Sequence, residues 1–355
     1  MVAGSSFVTT DDSPIRVFHV PHNVAGQAAA LARAERTIGL ASESMVVSGT
    51  GIGRELRRWR LLRRALRDFD VIHFNFGSTF LPRYWPSVHH GVRAAFGWYA
   101  RALELRDLGW LRSAGKAVFV TFQGDDVRTA ESVRRRLGSA AWLDEYYDPR
   151  DDARKQRAAA RIVSEADGVF ALNPDLLTLL PGSTFLPYAN VDLQDYAPAA
   201  PTTGPRPVAV HAPTDRRAKG TDEIVAAVRP LRDIEFRLVE HVSRADARRA
   251  LEAADIVIDQ LRIGWYGGLA VEAMALGRPV IAYLDESSLD AIPREMHAEL
   301  PVLSATPETL PEAIEDALKR REELGRRGRA FVERWHDPIA IARRLKADYE
   351  RALGR

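Results

Sequence analysis

The chain has 355 residues, 46% hydrophobic and 28% charged, which suits a globular protein and is long enough for two cores. Its formal net charge of +2 gives no global reason for nucleic acid, and the absence of cysteine excludes disulfides, thiol catalysis and cysteine-ligated metal. No run approaches about 18 apolar residues, and the start, MVAGSSFVTTDDSP, has neither a basic nor an apolar signal region. The expectation is a cytoplasmic protein with a loose tail at 1–13.

Segment 15–20 (IRVFHV) predicts a strand, 26–36 an alanine-rich helix stopped by Gly39, 44–47 a strand and 56–67 a helix. Next come a strand at 71–76 (VIHFNF), a helical stretch at 92–108, a strand at 117–122 (AVFVTF), a helix at 154–165 and a strand at 168–172. This alternation predicts an α/β fold with a parallel sheet covered on both faces. Segment 197–207 (APAAPTTGPRP) lacks any large apolar side chain and reads as a linker. The alternation then restarts with a strand at 208–211, a helix at 222–228, a strand at 234–240, a helix at 244–253 and a strand at 255–260. Amphipathic helices follow at 308–318 and 322–335, with a last one at 339–353 after the Asp337-Pro338 break.

The most telling stretch is 255–284, DIVIDQLRIGWYGGLAVEAMALGRPVIAYL. It reads as a buried strand, a glycine-broken loop, a short helix, a glycine stop at Gly277 and a second strand. Gly264, Gly267 and Gly268 let the backbone pass close to a ligand. The helix from about Leu269 begins with free N–H groups and a positive dipole end, which suit phosphate. Glu272, inside that helix, repels phosphate but suits the paired hydroxyls of a ribose beside it. The pattern predicts a nucleoside diphosphate at the carboxyl edge of a doubly wound sheet.

Lys219-Gly220, the run Glu272-Ala273-Met274-Ala275-Leu276-Gly277-Arg278-Pro279-Val280, and the tail Arg329-Ala330-Phe331-Val332-Glu333 with His336-Asp337 carry a family likeness. By these motifs the chain resembles GT-B glycosyltransferases of the family-4 type, which are retaining and use a nucleotide-diphosphate sugar. Two positions depart from the family pattern: its first acid falls on Gly264, and an arginine five residues before the lysine falls on Thr214. The resemblance implies two Rossmann-like domains facing a cleft, an acceptor domain at 14–200 and a nucleotide-sugar domain at 201–336. A helix at 337–355 would cross back to the first. It implies transfer from a UDP- or GDP-type sugar to a small-molecule, lipid-linked or glycan acceptor. Neither a metal nor a tightly bound cofactor is expected. A sugar-nucleotide epimerase or hydrolase and a non-catalytic binding subunit remain alternatives on the same fold.

Residue by residue, Lys219, with Arg216 or Arg217, would neutralise the departing diphosphate. Glu272 would hold the ribose, and the N–H groups of Gly267, Gly268 and Leu269 the phosphates. Gly264 belongs to the same donor loop, and Glu240 and His241 end a strand where base or sugar would lie. In the first half, Gly26 with His22 and Asn23 (PHNVAGQ) forms the loop expected over phosphates and acceptor. Gln123, Asp125 and Asp126 (FQGDDVR) are expected beside the reacting sugar, and His73 at the cleft edge. Each has a plain structural reading beside this one: a solvated loop lysine, loop acids facing water, a core histidine satisfied by its neighbours. Trp265 and Tyr266 suit packing as well as sugar contact. The basic helix 54–67 suits either anionic lipid or an ordinary solvated face. SGTGIGREL fails the dinucleotide fingerprint at Arg54, Asp68-Phe69-Asp70 precedes its strand, and no histidine pair has metal-ligand spacing.

Overall fold

The computed structural model describes residues 13–88, 93–138, 141–198 and 204–355. Nearly all of the expected tail and the middle of the expected linker, 199–203, lie outside the described residues. Two parallel sheets account for the two runs of alternation. The first has strands β1 (Arg16–Val20), β2 (Ala41–Ser44), β3 (Val71–Asn75), β4 (Ala117–Phe122), β5 (Gly168–Ala171) and β6 (Thr184–Phe185), in the order β2-β1-β3-β4-β5-β6. The second has β7 (Val208–His211), β8 (Glu235–Leu238), β9 (Ile256–Gln260), β10 (Val280–Ala282) and β11 (Leu303–Ser304), in the order β11-β10-β9-β7-β8.

The central strands β3, β4, β7 and β9 are buried along their whole length, as near-continuous apolar runs in a two-face-covered sheet should be. Polar residues collect at their carboxyl ends: Asn75, Thr121, His211, Asp259 and Gln260 are all buried there. Each sheet reverses its winding once, between β1 and β3 in the first and between β7 and β9 in the second. A crevice opens at such a reversal, outside the carboxyl ends of the strands, and ligands bind there.

Two expectations shift. The strand expected at 44–47 is β2 at Ala41–Ser44, because pairing with β1 begins directly after the Gly39 turn, at Arg16↔Ala41. As an edge strand it needs little apolar content, and Met45 and Val46 stand exposed. The helical stretch at 92–108 divides into Ala94–Leu103 and Arg106–Ser113, broken where Leu105 takes φ 60°.

The C-terminal helix Pro338–Leu353 packs on the helix Gln27–Thr37 of the first half. Its Tyr349 is fully buried there. The Tyr349 hydroxyl donates to Glu35 Oε1 (3.1 Å) and lies 2.6 Å from His73 Nδ1. Glu35 also accepts from Ser42 Oγ (2.6 Å) and lies 2.8 Å from His19 Nε2. A buried polar network of this kind is costly when one member is lost. Tyr349→Phe is expected to lower stability by about 1–3 kcal/mol, read from the urea unfolding midpoint.

Candidate active site

Asp259, at the end of β9, is the centre of the second-half crevice. It is fully buried, and its Oδ1 accepts from Lys219 Nζ at 2.7 Å. Its Oδ2 accepts from the Gly267 N–H at 2.6 Å. Lys219 ends the short helix Arg216–Lys219, which Asp215 caps through the N–H groups of Arg217 and Ala218. Gly220, at φ 71°, then turns the chain into the next helix. The ammonium lies 3.0 Å from where a Cβ on Gly267 would stand. One carboxylate thus holds both the lysine and the turn that opens the helix Gly268–Ala275.

That helix has Gly267 as N-cap and no side-chain cap. The N–H groups of Gly268 and Leu269 are left as donors at its positive end. The sequence expectation is corrected at Gly267, whose N–H is taken by Asp259. A Cβ on Gly268 would stand 3.0 Å from Asn190 Nδ2 and 3.1 Å from Ala25 Cβ, so the first half closes tightly over this turn. Glu272 sits one turn further. Its Oε1 accepts from Arg244 Nη2 (2.9 Å) and from Asn190 Nδ2 (3.4 Å). Burial pushes its carboxyl upward, with Arg244 and then Asn190 opposing. Asn190 Oδ1 is buried without a partner. Gly26, at φ 79°, lies against the same group: its missing Cβ would fall 2.3 Å from Arg244 Nη1. Lys219, Gly268, Leu269, Glu272 and Gly26 therefore converge, joined by Asp259, Arg244 and Asn190.

Other expected residues are placed elsewhere. Gly264, at φ 81°, faces away from this group; its Cβ would stand 2.7 Å from Asp285 Cβ and 3.0 Å from Arg136 Nη1. Arg136 comes from the first half and donates to Ile263 O at 2.7 Å. The space that an acid would need is filled, and the backbone there favours glycine. Gly264→Asp is expected to cost about 2–4 kcal/mol, visible as an earlier urea midpoint. Trp265 and Tyr266 are packing residues, buried with tilted rings 4.5 Å apart at their centroids, and the Tyr266 hydroxyl lies 2.9 Å from His336 Nε2.

Arg216 donates to Glu240 and Asp222, both at 2.5 Å, and is exposed. Glu240 is thereby paired, and His241 is exposed with φ 55°. Arg217 lies over the Tyr146 ring of the first half, 5.7 Å from its centroid. Of these three cations, Lys219 is the one that abuts the phosphate-ready turn. His73 is corrected to a core residue: it is fully buried, with Thr121 Oγ1 2.7 Å from Nε2 and Tyr349 at Nδ1. Asp126 is also corrected, because its carboxylate turns back to accept from the N–H groups of Gln123 and Gly124. Asp125 accepts from the hydroxyls of Tyr146 (2.7 Å) and Tyr147 (2.8 Å), which occupies both its oxygens. Asn23 Oδ1 accepts from the Ala29 N–H in the first turn of the following helix. Gln123 keeps its interest, since both polar atoms of its buried side chain lack partners.

Sequence reasoning missed Asp259, Arg244 and Asn190. Only Asp259 left a signal, as a polar residue at the end of an apolar strand. Among the described residues no group of three or more His, Asp or Glu is arranged to hold a metal, and no helix is long and apolar enough to cross a membrane. A hollow of about 430 Å³ between the helix Arg321–Trp335 and Gly277 lies beyond the far end of the Glu272 helix, away from Lys219.

No protein-family model matches the sequence, and no curated protein matches it. Solved structures do match. Sucrose-phosphate synthase from Thermosynechococcus elongatus aligns over 96% of this chain and 99% of its own, at 15% identity and TM-score 0.61. Anabaena HepE in complex with UDP-glucose aligns over 94% and 98%, at 12% identity and TM-score 0.58. The catalytic domain of starch synthase IV from Arabidopsis thaliana, bound to ADP and acarbose, aligns over 96% and 99%, at 12% identity and TM-score 0.58. Matched end to end by these enzymes, with two parallel sheets, the chain has the GT-B glycosyltransferase fold.

Proposed function

We propose that this protein is a glycosyltransferase that moves a sugar from a nucleoside-diphosphate donor to an acceptor hydroxyl. One observation carries the reading: Lys219 Nζ abuts Gly267, at the start of the helix that carries Glu272 one turn on. Ammonium, unpaired N–H groups and a carboxylate then follow one another as diphosphate and ribose do in a nucleotide. HepE, which is similar in fold, has been seen with UDP-glucose and with UDP, and starch synthase IV with ADP. That similarity supports a donor of the same class here, with UDP or GDP as the nucleotide.

In this reading Gly268 and Leu269 donate to the phosphates, and Lys219 meets the charge that grows on the leaving diphosphate. Glu272 exchanges Arg244 for the ribose hydroxyls. The Gln123 amide is available to the donor sugar or the acceptor. Retention, by a front-face route with no protein nucleophile and no metal, belongs to the same proposal. The helix Gly51–Asp68 exposes Ile52, Leu56 and Trp59 beside Arg57, Arg60 and Arg63, which supports peripheral contact with anionic lipid.

The test is incubation with UDP-, GDP- and ADP-sugars, each with and without candidate acceptors. Free nucleoside diphosphate is expected only when an acceptor is present. Release without acceptor points to a hydrolase instead, and tight nucleotide binding with no turnover points to a binding subunit.

A further inference from the structure

A large cavity lies in the first half, and its charge is one-sided. It measures about 830 Å³ and sits at the winding reversal of the first sheet, with His22 after β1 and Phe76 and Ser78 after β3 on its wall. Arg54, Arg58, Arg83 and Arg93 line it, against a single acid, Glu55. Glu55 is already engaged by Arg58, at 3.2 Å. Elsewhere buried and half-buried arginines meet carboxylates, as Arg64 meets Glu43 and Arg128 meets Asp175. Here Arg83 donates to the Ser78 hydroxyl (2.9 Å) and the Phe76 carbonyl (3.5 Å) and lies over the Trp85 ring, 4.5 Å from its centroid, with no carboxylate bonded to it among the described residues. The Nε atoms of Arg83 and Arg54 are buried without partners. The helix Gly51–Asp68 adds its positive end, since Thr50 and Gly51 line the cavity and Thr50 makes no side-chain cap.

His22 responds to this field. Burial first, and then Arg83, Arg58 and Arg54, hold its imidazole down to about 4, so it is neutral near pH 7. Burial also brings Arg83 down to about 10, which leaves it cationic. Trp85, Val88 and Phe96 give the cavity an apolar flank. His22 is three residues from Ala25, whose Cβ meets the Gly268 turn. Three residues span at most about 11 Å, so a molecule held here lies within reach of the donor turn.

We propose that this cavity binds the acceptor through an anionic group, phosphate or phosphate-like, with its uncharged part against Val88 and Phe96. The inference rests on the transferase reading above and narrows its acceptor class. Bidentate arginine is suited to phosphate.

The test uses the whole protein with UDP saturating, so that the donor turn is occupied. Glycerol 3-phosphate and glycerol are titrated in solution, and phosphatidic acid and phosphatidylcholine are compared on vesicles. Binding of either phosphate monoester, with its neutral or zwitterionic counterpart inert, is expected. Arg54→Gln, on the rim of a stable helix, and Arg83→Gln should each weaken that binding about tenfold. Capture of the soluble ester identifies a water-soluble phosphorylated acceptor, and capture of the vesicle alone identifies a lipid headgroup. No preference for the anion, or binding unchanged in Arg54→Gln, overturns the proposal. UDP titration of the unmodified protein reads the donor side separately. Its failure removes the transferase reading, whereas anion indifference with UDP binding intact removes only this assignment.

Discussion

Lys219→Ala is expected to slow sugar transfer by about a hundredfold to a thousandfold, or about 2.7–4 kcal/mol of barrier. The charge on a leaving diphosphate grows as the glycosidic bond breaks, so the ammonium matters more in the transition state than in the bound donor. The loss should therefore fall mainly on kcat, with a smaller change in KM. Lys219 is well placed for this because Asp259 holds its Nζ at 2.7 Å and Gly267 leaves room beside it. A guanidinium is broader than an ammonium and presents its donors in a planar fork, so it does not reproduce the point charge that Asp259 holds at 2.7 Å. Lys219→Arg should accordingly recover less than about tenfold of the lost rate. Initial rates with the productive donor, on protein checked by circular dichroism, decide the matter. A variant within about threefold of the unmodified rate would remove the role.

How much of this site can be read from the sequence depends on how local each signal is. The strand, glycine turn and helix around Glu272 are contiguous, and hydrophobic pattern with glycine punctuation reveals them. Lys219 is legible through its motif and its place before Gly220. Asp259 shows only as a polar residue ending an apolar strand; its role does not show, because Lys219 lies 40 residues away and meets it only once β7 and β9 become neighbours in the sheet. Arg244 and Asn190 come from two further elements and leave no local trace. Asp125 and Asp126 show the opposite failure: two acids after a buried strand look like site residues. Tyr146, Tyr147 and the loop's own N–H groups occupy them instead. The helix Ala130–Leu137, which carries Arg136 to Ile263, escapes a pattern search because only Ala130 and Val133 are buried. Its start is legible afterwards as a Thr129–Ser132 capping box.

Asp259→Ala is expected to damage stability and rate together. The substitution removes a fully buried carboxylate, leaves the Gly267 N–H without its acceptor and frees Lys219. Breaking a buried ion pair costs roughly 3–5 kcal/mol when the surviving charge stays buried. Lys219 keeps 19% of its side chain exposed and can turn toward water, so the expected loss is about 2–3 kcal/mol. The rate should fall about tenfold to a hundredfold, because the ammonium is no longer held where the diphosphate leaves. Asp259→Asn separates the two effects. Its amide oxygen still accepts from Gly267 and keeps the turn, but its neutral side chain no longer fixes the ammonium. Most of the stability should return while the rate stays low. Urea midpoints and kcat, measured on both variants, test the separation. Full activity in Asp259→Asn would mean that Lys219 needs no anchor, and that the buried carboxylate serves the loop alone.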